Sequence, residues 1–380
     1  MSSQRKIKTR FLILSDTHSA LPNPVHQPDL PLSQNLPAVD VVIHAGDLTS
    51  TGKLHEHEQA FALLKSLSAP LKIVIPGNHD LTLDSAYCAI HPMLYTWRQP
   101  HTQEDLIRAL DIYTNVDARK AGIKYMVEGT KTFTLANGAK LTVWVNAYTP
   151  EFHDWGFAYP REVDMFNASE KHVPAHPVRE YQQTDPNTNA VSVIITHGPP
   201  RGVLDRTVRG ENAGCDHLRT AVERCRPLLH CFGHIHEGWG SEMLSWPEKH
   251  NPDSRISSLE TWTGPIDAID EDQGQSAVRL EAHNRTQSDQ KARDIDRQTT
   301  NDATEEHDVE SLNQQLPMTT EQQEAIEYID ATAVKHGLET VFVNASIMSV
   351  RYRPVQKPWV VDLMLPIADD KARNDIGSPS

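Results

Sequence analysis

Five short clusters of carboxylate, amide and imidazole residues follow one another in this chain: Asp16-x-His18, Gly46-Asp47, Gly77-Asn78-His79-Asp80, Thr196-His197-Gly198 and Gly233-His234-Ile235-His236. Mixed oxygen and imidazole donors suit hard or borderline divalent cations such as manganese, iron or zinc. One Gly-Asp pair, or one histidine, is normally a turn or a satisfied buried polar residue. Five clusters in series supply enough donors for two cations, with a carboxylate left to bridge them at about 3.5–4 Å, the separation used in two-metal hydrolysis. Such chemistry needs neither a nucleophilic serine nor a phosphate loop, and no Gly-x-x-x-x-Gly-Lys-[Ser/Thr] motif occurs.

The donors must be gathered from distant points of the chain, and the runs before them show how. Phe11 to Leu14, Val39 to Ile43, Leu71 to Ile75, Val191 to Ile195 and Leu228 to Phe232 are short apolar stretches that read as buried strands. A sheet that delivers ligands from the carboxyl ends of its strands can build one site from all five. Between them, Leu54 to Leu67 reads as an amphipathic helix with Leu54, Phe61, Leu64 and Leu67 on one face, and His55 and His57 as part of its solvated face. Lys131 to Leu135 and Lys140 to Val145, joined through Asn137-Gly138, read as a hairpin. Gly214 to Cys225 reads as a short helix, and a capping box at Thr319 or Thr320 opens a helix expected to run to about His336 and stop at Gly337. Val341 to Val350 and Val360 to Leu363 read as closing strands.

The ordered set D-x-H, G-D, G-N-H-[DE], H and G-H-x-H resembles the calcineurin-like metallophosphoesterase family at every position. Asp154-Trp155-Gly156-Phe157, Thr196 to Pro200, Gly233 to Gly238 and Asn344-Ala345-Ser346 resemble the branch of metallophosphoesterase-domain proteins related to class III cyclic-nucleotide phosphodiesterases. The resemblance implies an α/β fold, a four-layer α/β-β/α sandwich of two mixed β-sheets flanked by helices. It implies that Asp16, His18 and His236 bind a first metal, that Asn78, His197 and His234 bind a second, and that Asp47 bridges them. His79 would contact the substrate phosphate or protonate the leaving oxygen. Asp80 either orients His79 or bonds to nearby backbone. The reaction implied is attack of metal hydroxide on the phosphorus of a small phosphodiester, cyclic-nucleotide-like, or of a phosphomonoester. The alternatives are a protein phosphatase and a non-catalytic scaffold that binds partner proteins. Trp155 and Phe157 would either stack on a flat substrate group or clamp their loop.

Convergence of the clusters argues for a single catalytic domain, residues 8–247 and 318–365, interrupted by an insertion at 248–317 and followed by a tail at 366–380. From Asn251 to Thr320 there are 15 Asp or Glu against 6 Lys or Arg and few apolar residues after Val278, so disorder is the expectation, and a partner-binding role for the insertion the alternative. Pro22-Asn23-Pro24 and Pro28 to Pro31 read as an irregular loop. A net charge of -15 disfavours polymeric nucleic acid and anionic membrane as partners, yet a locally positive metal site still attracts a small phosphate ester. Cys88, Cys215, Cys225 and Cys231 lack C-x-x-C spacing and read as reduced, structural thiols. With no long apolar run and no signal-peptide core, a cytoplasmic or nuclear location is expected.

Overall fold

Apolar runs of this length, rich in Val and Ile, favour fully buried strands, and each run that precedes a donor cluster becomes one. The computed structural model describes residues 5–20, 36–91, 101–170, 172–182, 190–246 and 317–368. In its first half, β1 (Lys6–Leu14), β2 (Val41–Ala45), β3 (Leu71–Ile75) and β4 (Ile123–Tyr125) lie side by side in parallel. Next come β5 (Glu128–Thr134), β6 (Lys140–Asn146), the short pair β7 (Thr149–Pro150) and β8 (Ala158–Tyr159), β9 (Val193–Thr196), β10 (Leu229–Phe232) and β11 (Gly240–Ser245). The chain closes with β12 (Glu327–Asp330), β13 (Glu339–Asn344) and β14 (Trp359–Pro366).

These strands form two six-stranded mixed sheets, one ordered β12-β14-β1-β2-β3-β4 and the other β11-β13-β10-β9-β6-β5. The short α2 (Ser85–Ile90) follows β3, and on the outer face of the first sheet α1 (Leu54–Ser66), α3 (Gln103–Thr114) and α4 (Val116–Lys120) bury Ala60, Leu64, Tyr113 and Ala118 against Val74 and Ile123. On the outer face of the second, α5 (Asp216–Cys225) buries Leu218, Ala221 and Val222 against Ile194, Phe232 and Phe342. The sheets meet where β2 approaches β10 and β14 approaches β6, completing four layers. Because β1, β2 and β3 are parallel, and so are β6, β9, β10 and β13, each set releases its chain at a single edge.

The expected hairpin forms as β5 and β6, paired from Glu128↔Asn146 to Thr134↔Lys140 around Gly138, whose φ is 86°. Three expectations are corrected. The helix at Thr319 keeps its capping box but ends as α6 (Thr320–Glu324), because Glu327–Asp330 is recruited as β12 alongside Trp359–Asp362, where sheet pairing outweighs helix propensity. The strand expected to reach Val350 stops at Asn344, since Ala345 and Ser346 leave the second sheet to bridge to the first. His57 is not on a solvated face: it is fully buried, with Nδ1 at 3.0 Å from the Tyr113 hydroxyl and Nε2 at 2.9 Å from Thr82 Oγ1. His55 is exposed as expected. All four cysteines are free and buried, and among the described residues no helix is long and apolar enough to cross a membrane. The proline-rich loop, most of the insertion and most of the tail lie outside the described residues.

Candidate functional site

The turns that follow the parallel strands are bent by unusual backbone. Asp16, His18, Asp47 and His234 have φ values of 53°, 43°, 53° and 68°, a left-handed region that costs a side-chain-bearing residue energy and that clusters at functional sites. Two glycines allow the turns to meet. A Cβ on Gly233 would collide with the Asp16 carboxylate and Ser15, and one on Gly77 with the Asp47 amide and carboxylate.

Ser15, at the end of β1, donates its amide to Ala345 O at 2.9 Å and accepts from the Ile347 amide at 2.9 Å, while the Ala345 amide donates to Phe232 O at 2.8 Å. The segment after β13 therefore stitches the carboxyl ends of the two sheets together at the site. Asp80 does the same for the turns after β2 and β3: its carboxylate accepts from Leu48 N (3.1 Å), Thr49 N (2.8 Å), Thr49 Oγ1 (2.7 Å) and Gly77 N (2.8 Å). Asp80 is thus used on nearby backbone, and the partner of His79 Nδ1 is the Ser50 carbonyl at 2.8 Å.

Two donor groups result. Asp16, His18 and His236 form one and Asp47, His197 and His234 the other, the ligand atoms within each lying within 4.8 Å of one another. Asp47 faces both, with Oδ2 3.7 Å from His18 Nε2 and Oδ1 3.4 Å from His197 Nε2. Asn78 Oδ1 reaches the second group, 2.9 Å from His197 Nε2.

The imidazoles are oriented by backbone. Nδ1 of His18 lies 3.0 Å from Thr49 O, that of His197 2.9 Å from Ala45 O and that of His236 3.1 Å from Ser349 O. A proton held at Nδ1 leaves the Nε2 lone pair aimed at the carboxylates, the usual arrangement behind metal-ligating histidine. Acceptors then converge on acceptors: His197 Nε2, Asn78 Oδ1 and Asp47 Oδ1 can share this space only around a proton or a cation. Among the described residues, His18 Nε2 is buried with no hydrogen-bond partner. On these grounds the donor set fits divalent cations.

Charge in the site follows the same logic. Burial pushes the Asp16 carboxyl up, but the hydrogen bond and charge of His236 outweigh it and hold the group low. Burial likewise opposes ionisation of Asp47, and the neighbouring imidazoles, His197 foremost, keep it well below the usual carboxylate range. Burial lowers His18 to about 4 and His234 to about 3, leaving both neutral as ligands must be. For His197 burial also acts downward, yet the Asp47 charge prevails and raises it to about 9.

A family model described as calcineurin-like phosphoesterase matches residues 9–238, more than half of the chain. The chain belongs to the calcineurin-like phosphoesterase family. It is 33% identical over 236 residues to the human metallophosphoesterase domain-containing protein 1, covering 61% of this chain and 62% of that protein. It is 32% identical over 242 residues to a probable rhamnogalacturonate lyase C of Emericella nidulans, covering 62% of this chain but 18% of that protein. The chain thus spans less than two thirds of the length of these curated relatives. Among solved structures, a purple acid phosphatase from yellow lupin (Lupinus luteus) seeds aligns with a TM-score of 0.33 at 13% identity over 64% of this chain and 40% of that one.

His79 borders the first group, its ring 4.8 Å from that of His18, and its amide donates to Asp47 Oδ1 at 2.8 Å. The two aromatics of the Asp154–Phe157 loop part company. Trp155 stacks on His79 at 3.9 Å between ring centroids and 29° between planes. Phe157 is only 2% exposed, its ring against Tyr148 and its amide donating to Asp84 Oδ2 at 2.7 Å, the surroundings of a loop clamp. Gly156 N, donating to Asn78 O at 3.1 Å, pins the same loop to a ligand-bearing turn. Three contributors carried no assigned role in the sequence reading. Ser346 Oγ donates to Asp16 Oδ2 at 2.9 Å, Asn344 Nδ2 donates to Ile235 O at 2.9 Å, and the Tyr352 ring lies 5.0 Å from that of His18. Asn344-Ala345-Ser346 stood out by resemblance, but Tyr352 is an isolated aromatic between arginines and gave no signal.

Proposed function

We propose that this protein is a two-metal phosphoesterase acting on a small phosphodiester, cyclic-nucleotide-like, or on a small phosphomonoester. Asp16, His18 and His236 would hold one divalent ion, Asn78, His197 and His234 the other, and Asp47 both; manganese, iron and zinc all suit this donor set. The observation that carries the reading is Asp47, whose two oxygens face different histidine groups. When bound, such an ion pair supplies Lewis acidity toward phosphoryl oxygens and lowers the pKa of water.

The chain's own residues do the rest. Backbone carbonyls fix the ring orientation of His18, His197 and His236, so little reorganisation is required when substrate arrives. His79 donates Nδ1–H to Ser50 O, which leaves Nε2 outside that contact, and Nε2 is the atom assigned to act on the departing oxygen. Trp155, stacked on His79, restricts the swing of the ring. The net charge of -15 favours small esters over polymeric anions.

Metal analysis of the purified chain, coupled to a panel of phosphomonoesters, linear diesters and cyclic nucleotides, tests the proposal. Close to two metal equivalents with turnover of at least one ester class is the expected result. Full metal loading without hydrolysis of any member would favour the scaffold alternative and overturn the catalytic one.

A further inference from the structure

Tyr352 occupies a position a glycine or asparagine would take at no cost, with a φ of 53°. The turn that holds it there is closed by Tyr352 N donating to Ser349 O at 2.8 Å and Ser349 N donating to Arg353 O at 2.8 Å. Ser349 O is also the acceptor beside His236 Nδ1 at 3.1 Å, and Gln356 Nε2 donates to His236 O at 3.3 Å. One turn therefore orients a candidate ligand and presents a tyrosine. A bulky side chain in left-handed backbone calls for a reason beyond the turn itself.

The ring is not spent on the apolar core. It stands edge-on to His18 (5.0 Å, 66°) and His236 (5.2 Å, 73°) and tilted to His79 (6.0 Å, 57°), while the residue stays 54% exposed. An aromatic surface thus borders both the first donor group and the residue assigned to protonate the leaving oxygen. A group attached to that oxygen would lie beside His79 and so near this ring. A flat group gains from stacking against tyrosine, whereas a small aliphatic alcohol has no surface to offer.

We propose that Tyr352 determines specificity by forming an aromatic wall at the mouth of the site, selecting phosphate esters whose alcohol carries a planar group, a nucleoside or an aryl alcohol. This rests on the two-metal phosphoesterase reading above. Tyr352 acts on the leaving group and not on the phosphoryl centre, so its contribution is separable from binding of phosphate.

Two phosphonates that share the anionic head and differ only in the flat group read this separation without turnover. The manganese-loaded full chain is titrated calorimetrically with phenylphosphonate and with methylphosphonate, for the wild type, Tyr352→Ala and Tyr352→Phe, with metal content measured in each. The expected result is that Tyr352→Ala weakens phenylphosphonate about tenfold and methylphosphonate less than about twofold, while Tyr352→Phe keeps the preference. Equal weakening of both ligands, or none, with wild-type binding intact, would overturn the aromatic wall and leave the phosphoesterase reading standing. Failure of both phosphonates to bind the metal-loaded wild type would overturn that reading, and the wall with it.

Discussion

Asp47 and His79 are adjacent in the site yet should fail in different ways when altered. Asp47 presents one oxygen to each histidine group, and its replacement by asparagine removes the charge that both cations would share. Loss of an outer-shell partner already costs roughly 10–100-fold in metal affinity or activity, so Asp47→Asn should exceed about 100-fold in turnover and lower metal content. Near-normal rate at full occupancy would remove Asp47 as the bridge. His79→Ala should instead retain metal and lose about 10²–10⁴-fold in rate, with smaller losses for esters of acidic alcohols, which need less protonation. A loss independent of the leaving group would mean that His79 positions phosphate. At this scale the sequence was highly legible, because Asp16, His18, Asp47, Asn78, His197, His234 and His236 are of ligand type and each sits just after an apolar run. Tyr352 was not, since a lone aromatic acquires meaning only from what the turn places beside it.

Turns, more than strands, hold the site together. Asp80 is buried and gives its carboxylate to three backbone amides and one hydroxyl of the turns after β2 and β3. Each buried donor left without an acceptor costs about 1–3 kcal/mol, so Asp80→Ala should lose roughly 3 kcal/mol or more in denaturant unfolding and weaken metal binding. Unchanged stability would show that the turns hold their form without it. The premature end of α6 has a related cause. Thr319 to Glu324 carries a sound capping box, but Tyr328, on the following strand, donates its hydroxyl to Asp362 Oδ2 at 2.8 Å on β14, a partner more than thirty residues away that no local window contains.

Across the molecule, the first sheet is tied by a buried ion cluster that joins β1 to β14. Arg10 on β1 donates Nε and Nη2 to the two oxygens of Asp362 on β14 at 2.7 and 2.8 Å, and Lys8 Nζ lies 2.8 Å from the same carboxylate. Burial acts to raise the Asp362 carboxyl, but the hydrogen bonds from Arg10, Lys8 and Tyr328 outweigh it and leave it below its ordinary value. A lowered carboxyl contributes stability that is full above about pH 4 and disappears as pH falls through the folded-state value. Asp362→Asn should therefore destabilise the protein by about 3–5 kcal/mol at neutral pH, with the gap from wild type closing in acid. Urea midpoints of both proteins at pH 7 and below pH 4 measure this, and a gap that does not change with pH would refute the linkage.

What the sequence determined by itself was composition and order: apolar runs too short for helices, each followed by residues able to bind a hard cation, arranged as the calcineurin-like phosphoesterase pattern requires. Those features are local, because a strand and the turn that ends it are written in neighbouring residues. Tertiary structure decided which donors share a group, that Asp47 faces both, that Asp80 serves backbone while Ser50 receives His79, and that Trp155 and Phe157 have different surroundings. Each of these depends on backbone carbonyls, crossing segments and left-handed turns brought together from opposite sheets. Distances across such a junction follow from packing of the two sheets as a whole, and no stretch of chain encodes them alone.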